Sequence, residues 1–100
     1  MHKNGMPPIH PGEILREEFL VPMNITPAAL ARALGVSNPT VNDVVLERRG
    51  ISADLALRLE AALGSSAQFW MNLQATYELR RAETEKGEAI RAQVPRLQVA

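Results

Sequence analysis

The chain has 100 residues, 46% of them hydrophobic, and it contains no cysteine. This composition describes one domain with its own core, and the lack of cysteine excludes a disulfide-stabilised fold and fits a reducing compartment. The 11 basic and 11 acidic residues give a formal net charge of +0, so any affinity for DNA must come from local charge rather than from an overall basic surface.

The first ten residues are rich in proline and glycine, which predicts a flexible N-terminal arm over 1–10. They lack the continuous apolar stretch of a signal peptide, and no segment approaches the roughly 20 apolar residues of a membrane span. We therefore expect a cytoplasmic protein. His10 precedes Pro11, and without cysteine it fits a capping or surface position better than a metal site.

A first helix is predicted to begin near Pro11, to run to Val21 and to be ended by Pro22, which lacks a backbone donor. Three acidic side chains on this helix resemble a general acid–base group, but such a run more often forms the solvated face of an amphipathic helix. They are Glu13, Glu17 and Glu18.

Residues 26 to 46 carry two helix starts separated by a helix stop, which is typical of a helix-turn-helix. Thr26 is a good N-cap residue and is followed by Pro27 at the first helical position. Gly35 stands where a left-handed residue would end that helix, and Ser37 caps the next one almost at once. An ordinary helical hairpin is the alternative interpretation, because caps indicate helices and not DNA binding.

A fourth helix is predicted after the polar turn at 47–50. Ser52 is its N-cap, its leucines recur at every fourth position, and Gly64 ends it as Gly35 ends the earlier helix. The sequence therefore predicts a further amphipathic helix packed against the helix-turn-helix.

A fifth predicted helix starts at Ser65 or Ser66 and carries three of the four aromatic residues of the chain. Its large apolar side chains either pack in the core or form a homodimer interface, and the spacing favours neither interpretation. These candidate interface residues are Phe69, Trp70, Leu73 and Tyr77.

The chain beyond Lys86 contains the helix breakers Gly87 and Pro95. We expect the fifth helix to fray around Lys86. The helix-turn-helix domain is therefore predicted to span 11–86, with a mobile tail over 87–100.

Three segments resemble, in order, the HigA family of antitoxins, also called VapI-like: HPGEILREEFL at 10–20, the helix-turn-helix at 26–46, and RRGISADLALRLEAALGSSAQFWMNLQ at 48–74. The resemblance covers roughly residues 9–80. It implies an all-α, five-helix DNA-binding domain of the Xre or lambda-repressor type with no enzymatic activity. It also implies two partners, a HigB-type ribonuclease toxin that the antitoxin neutralises and the palindromic operator DNA that its homodimer represses.

The second motif helix and its flanks supply the candidate DNA contacts. Relatives often carry arginine, glutamine or lysine early in this helix, whereas this chain has asparagine, threonine and an aspartate. Asparagine can pair with adenine in the major groove, and the two arginines beyond the helix are the expected phosphate anchors. A solvated helix face is the other interpretation. The candidates are Thr26, Ser37, Asn38, Thr40, Asn42, Asp43, Arg48 and Arg49.

Two functions stay open at this point. The chain is either a toxin-binding autorepressor, or an interaction module or stand-alone regulator with weak or no specific DNA binding. The second is favoured by the zero net charge and by Asp43, although residues 25 to 50 contain three arginines and two acidic residues, a local excess of one positive charge. An enzyme would need a cofactor, a metal or a catalytic grouping, and the sequence has no cluster of residues suited to any of them.

Overall fold

The computed structural model describes residues 7–98, and within them the chain forms five helical segments and no strand. The predicted all-α, five-helix fold is confirmed. Residues 1–6 of the predicted arm and 99–100 of the predicted tail lie outside the described residues. The segments are α1 (11–23), α2 (Pro27–Leu34), α3 (Asn38–Val45), α4 (Ala53–Leu63) and α5 (Ala67–Gln93). None of them combines the length and apolarity needed to cross a membrane.

The predicted caps are the local reason for the starts and ends of α2 to α5. At each start a hydroxyl oxygen accepts a hydrogen bond from the backbone N–H three residues later, at 3.0–3.3 Å. Gly35 and Gly64 end α2 and α4 with positive φ of 73° and 86°, a conformation that glycine adopts without a Cβ penalty. The four capping residues are Thr26, Ser37, Ser52 and Ser66.

The prediction that Pro22 ends the first helix is wrong. The middle of α1, Leu15–Leu20, is π-helical, and the N–H of Val21 donates to the carbonyl of Arg16 five residues earlier. Because Pro22 then lies in the first turn of a new α-helical stretch, its missing N–H leaves no hydrogen bond unmade there. The helix therefore continues past the proline by one residue.

Trp70 lies at the centre of the core, where it is 0% exposed. Its indole N–H donates to the hydroxyl of Ser65 at 2.9 Å, so the polar edge of the ring is satisfied within the core. The ring centroids of Phe19 and Phe69 lie 5.2 and 5.0 Å from that of Trp70. A side chain enclosed in this way has no surface left for a second protomer, so the prediction that Trp70 contacts a dimer partner is wrong.

α5 continues past the predicted fraying point at Lys86 and ends at Gln93. The prediction that the helix frays around Lys86 is therefore wrong, and the domain boundary at 86 stays a prediction. A glycine inside a helix costs only about 1 kcal/mol relative to alanine, and here the side chains of Glu83 and Arg91 cover Gly87 and lie 3.7 Å apart as an ion pair. The glycine is therefore accommodated within the helix.

Candidate nucleic-acid interface

α3 is amphipathic, and its two faces have different surroundings. The side chains of Val41, Val44 and Val45 are buried against the core, whereas Asn38 and Asn42 are exposed on the other side. An eight-residue helix buried along one stripe presents its opposite stripe to solvent at helical spacing. The polar residues of the predicted DNA-reading helix are therefore free to meet a ligand.

The start of α1 packs directly against the backbone of α3. A Cβ atom placed on Gly12 would overlap the carbonyl oxygen of Val44, so only glycine allows this approach. The Gly12 N–H donates to Nδ1 of His10 at 2.9 Å, which makes His10 the N-cap of α1. His10 is buried, with its ring centroid 4.7 Å from that of Tyr77 on α5. Its predicted capping role is confirmed, and the alternative surface position is wrong.

Arg16 holds the C-terminal end of α3 from the π-helical part of α1. Its Nη1 donates to the carbonyl of Val45 at 2.5 Å, and its Nη2 lies 3.2 Å from the Glu47 carboxylate. Hydrogen bonding to Glu17, and also to Glu47, raises the pKa of the Arg16 guanidinium. The Val45 carbonyl lies at the end of α3, where the helix itself supplies no donor, and it accepts a hydrogen bond from a charged group instead. The charge pattern of α1 alone did not reveal this contact.

The loop after α3 is attached to α5 by Gln74. Its side-chain oxygen accepts a hydrogen bond from the Ile51 N–H at 2.7 Å, and its amide donates to the Glu78 carboxylate at 2.7 Å. Gly50 lies so close to this amide that a Cβ there would clash with it. Sequence analysis missed Gln74, although a glutamine four residues after Trp70, on the inward side of the helix, is a usable signal for a buried polar contact.

A shallow depression between the start of α2 and the exposed face of α3 brings four of the eight predicted DNA contacts together. They are Asn38, Asn42, Asp43 and Arg48, and Pro27, Ala28 and Pro39 complete the lining. Arg49 lies at the edge of this group, with its Nη2 3.9 Å from the Asp43 carboxylate. The depression therefore combines amides, one carboxylate and one guanidinium group, with a second guanidinium group at its edge.

The other three predicted contacts are involved in local hydrogen bonds. Thr26 and Ser37 use their hydroxyl oxygens to cap α2 and α3, and the hydroxyls of Ser37 and Thr40 are 2.8 Å apart. All three lie at helix starts beside the depression. The oxygen of a capping hydroxyl accepts from the backbone, so the Thr26 proton stays available to a further acceptor such as a phosphate, whereas one proton of the Ser37–Thr40 pair is donated within the pair.

The charges around the depression are paired. Asp43 accepts from Arg48 at 2.7 Å and lies near Arg49, so two guanidinium groups share one carboxylate. This leaves a local surplus of one positive charge. Amide groups at helical spacing can read base edges, and guanidinium groups beside them can contact phosphates. The described residues contain no group of three or more His, Cys, Asp or Glu that could hold a metal ion.

Comparison with known proteins places this arrangement in a family. A helix-turn-helix family model matches residues 15–70. Virulence-associated protein I of Dichelobacter nodosus is 56% identical over 84 residues, which cover 84% of this chain and 78% of the relative. Antitoxin HigA-1 of Vibrio cholerae serotype O1 is 42% identical over 79 residues, 79% of this chain and 74% of the relative.

A solved structure shows the same fold. Pseudomonas aeruginosa antitoxin HigA, determined with the higBA promoter, superposes with a TM-score of 0.88 at 59% identity and covers 91% of this chain and 99% of that one. Sequence identity at this level over nearly the whole chain goes beyond a shared fold. The chain therefore belongs to the HigA family of helix-turn-helix antitoxins.

Proposed function

We propose that this protein is an antitoxin that represses its own operon by placing α3 in the major groove of a palindromic operator, and that it neutralises a HigB-type ribonuclease toxin. The observation that carries the proposal is the depression beside α3, in which exposed amides and guanidinium groups share one surface. Such a protein acts where the operon is, which is the cytoplasm of a bacterium. It has no catalytic role of its own.

The positions of the side chains on this surface indicate which of them contact bases and which contact phosphates. Asn38 and Asn42 lie on the exposed stripe of α3, where side chains of a recognition helix reach base edges. Arg48 and Arg49 come after the helix, with side-chain exposures of 62% and 49%, and are suited to phosphates. The relative from P. aeruginosa was solved with its promoter, which supports the same use of the motif here.

Homodimerisation through α5 completes the proposal, because a palindrome is read by two copies of one helix. Trp70 is excluded by its burial, which leaves Phe69, Leu73 and Tyr77 as the candidate contacts from this helix. Phe69 is 37% exposed. Light scattering should report a dimer at micromolar concentration, and a monomer that still binds palindromic DNA tightly would contradict this arrangement.

The test of DNA reading is a titration against two duplexes, one from the region upstream of the gene for this protein and one with the same bases scrambled. We expect Asn42→Ala to cost roughly 1–3 kcal/mol on the upstream duplex and almost nothing on the scrambled one. Arg49→Ala should weaken binding to both, with a salt slope about one unit shallower per lost contact. The role assignment is wrong if the asparagine variant loses both duplexes equally.

Toxin binding is tested through the adjacent reading frame. Its product, expressed with this protein, should co-purify as a complex that lacks ribonuclease activity, whereas the product alone should degrade messenger RNA. Free ribonuclease activity in the presence of an excess of this protein would refute the neutralising role.

A protein-interaction module with little DNA affinity is the second candidate, and the Asp43 ion pairs favour it because they occupy both phosphate anchors. The two candidates differ in salt dependence. Phosphate contacts release counterions, so true DNA binding weakens steeply as salt rises. A flat salt dependence, or no mobility shift with the upstream duplex at low salt, would favour the interaction module.

A further inference from the structure

Asp43 is the acidic residue in the lining of the depression, and its carboxylate forms ion pairs with Arg48 in the lining and Arg49 at its edge. Its Oδ1 accepts from Nη2 and Nε of Arg48 at 2.7 and 3.3 Å. Its Oδ2 lies 3.9 Å from Nη2 of Arg49. The Asp43 side chain is 28% exposed, so it faces the depression rather than open solvent. A phosphate approaching this surface meets a carboxylate as well as two cations.

The pairing is held by the chain itself. The Arg48 N–H donates to the Asp43 carbonyl at 2.7 Å, which folds the residues after α3 back onto the end of the helix. The two arginines therefore lie beside the carboxylate without any long-range ordering. An exposed ion pair of this kind is worth at most about 1 kcal/mol. A phosphate can therefore replace the Asp43 carboxylate as the partner of the guanidinium group.

The carboxylate is the group left without a donor when that happens. In the major groove the only base donors are the exocyclic amines, N4 of cytosine and N6 of adenine, whereas guanine and thymine offer acceptors that repel a carboxylate. A duplex with an amine at the right position compensates Asp43, and a duplex with an acceptor there does not. The penalty for releasing the arginines therefore depends on the base.

We propose that Asp43 is a specificity-determining residue, which neutralises Arg48 and Arg49 in the free protein and exchanges them for a base amine when the correct sequence lies under α3. This rests on the proposed function, since it requires α3 in the major groove. It accounts for an acidic residue in a DNA-binding surface, because the carboxylate disfavours sites where the base facing Asp43 presents an acceptor rather than an amine.

The test uses the full chain with Asp43→Asn, which keeps the shape and removes the charge. We expect affinity for the scrambled duplex to rise by roughly five- to twentyfold for a dimer, because the Asp43 carboxylate of each of the two protomers, worth up to about fivefold, no longer competes with phosphate. Affinity for the upstream duplex should change less, so the ratio between the two falls on the order of tenfold. Asp54→Asn is the matched control, since Asp54 pairs with Arg58 at 2.8 Å on α4 outside the depression.

Base substitution along the upstream duplex makes the test specific. The parent should lose affinity at one base position per half-site when guanine or thymine replaces the adenine or cytosine there, and Asp43→Asn should lose that discrimination. Equal gains on both duplexes would reduce Asp43 to a general charge effect, and equal losses would mean that it only orients the arginines; either outcome overturns the proposal. If the parent itself does not prefer the upstream duplex, the proposed function fails instead.

Discussion

The two halves of α5 share one continuous backbone and have opposite surroundings. In the first half Trp70 is fully enclosed and Gln74 is 8% exposed. In the second half, 78–93, every residue except Gly87 is exposed, and Leu79 is 68% exposed. The helix thus extends out of the domain, which is consistent with the elongated dimensions of 56 × 29 × 21 Å.

The contrast shows that helical continuity does not imply equal stability along a helix. The first half is stabilised by burial and by hydrogen bonds to other segments, whereas the second relies on side-chain pairs within the helix, such as Arg81 with Glu85 at 3.0 Å. A pair of this kind is worth only about 0.3–0.5 kcal/mol. Most of the folding free energy therefore depends on the first half and the helices packed against it.

Trp70→Ala should have the largest effect, a loss of about 3–5 kcal/mol in the free energy of unfolding, because it empties the centre of the core. Urea denaturation measures the loss. Leu79→Ala is the matched substitution in the second half and should cost less than about 0.5 kcal/mol. A comparable loss at Leu79 would show that the second half is buried in a stable assembly, and the contrast would not hold.

A glycine-to-alanine substitution should have opposite effects on stability at the packed start of α1 and in the exposed second half of α5. Gly12→Ala forces a Cβ into the Val44 carbonyl, and we expect a loss of about 3 kcal/mol together with weaker DNA binding, because α3 must shift. Gly87→Ala meets only the flexible side chains of Glu83 and Arg91 and should stabilise the helix by up to about 1 kcal/mol. Thermal melting of both variants measures these changes in stability. A Gly12→Ala protein that melts like the parent would contradict the close packing of α1 on α3.

Gln74→Leu tests the hydrogen bond from α5 to the loop after α3. The Ile51 N–H would be left without its acceptor in the core, so the free energy of unfolding should fall by about 1–3 kcal/mol. Gln68→Leu is the control, since Gln68 is exposed on the same helix and bonds only to Asn72 among its described contacts. Equal stability of the two variants in urea would mean that Gln74 does not hold the loop.

The smallest expected effect is a pH dependence from His10. Burial lowers its pKa below the ordinary 6.5, and the nearby Glu47 opposes this in part. As pH falls, the imidazole of the unfolded chain therefore takes up a proton before that of the folded chain. The contribution of His10 to the free energy of unfolding is complete above about pH 6.5 and is lost as pH falls towards the pKa of the folded state. His10→Asn keeps a capping acceptor and should remove this part of the pH dependence of the free energy of unfolding, measured by urea titrations at pH 7 and 5.5. An unaltered pH dependence would show that His10 does not titrate on unfolding.

Local chemistry was sufficient to predict the caps and stops of the motif. Thr26 and Ser37 are capping acceptors whatever surrounds them, and Gly35 has no Cβ to oppose a positive φ. The exposed positions of Asn38 and Asn42 also followed from helical periodicity, since the valines of the same helix had to face the core. These features depend on residues within one or two turns, so they could be inferred from the sequence.

Helix lengths were predicted less well, because whether Pro22 and Gly87 end a helix depends on the residues packed around them. The π-helical hydrogen bonding before Pro22 gives the proline a first-turn position, and two side chains cover Gly87. The strength of a breaker depends on such neighbours, and residue propensities do not contain them.

The amino-acid sequence by itself determined that this chain forms an all-helical domain with a capped helix-turn-helix and a polar stripe on its second motif helix. Only the tertiary structure decided that Trp70 belongs to the core, because its apolar spacing suits a core and an interface equally well. It also decided that Arg16 reaches the Val45 carbonyl and that Gln74 reaches Ile51. These contacts join residues from different parts of the backbone path, and their geometry exists only after the helices have packed.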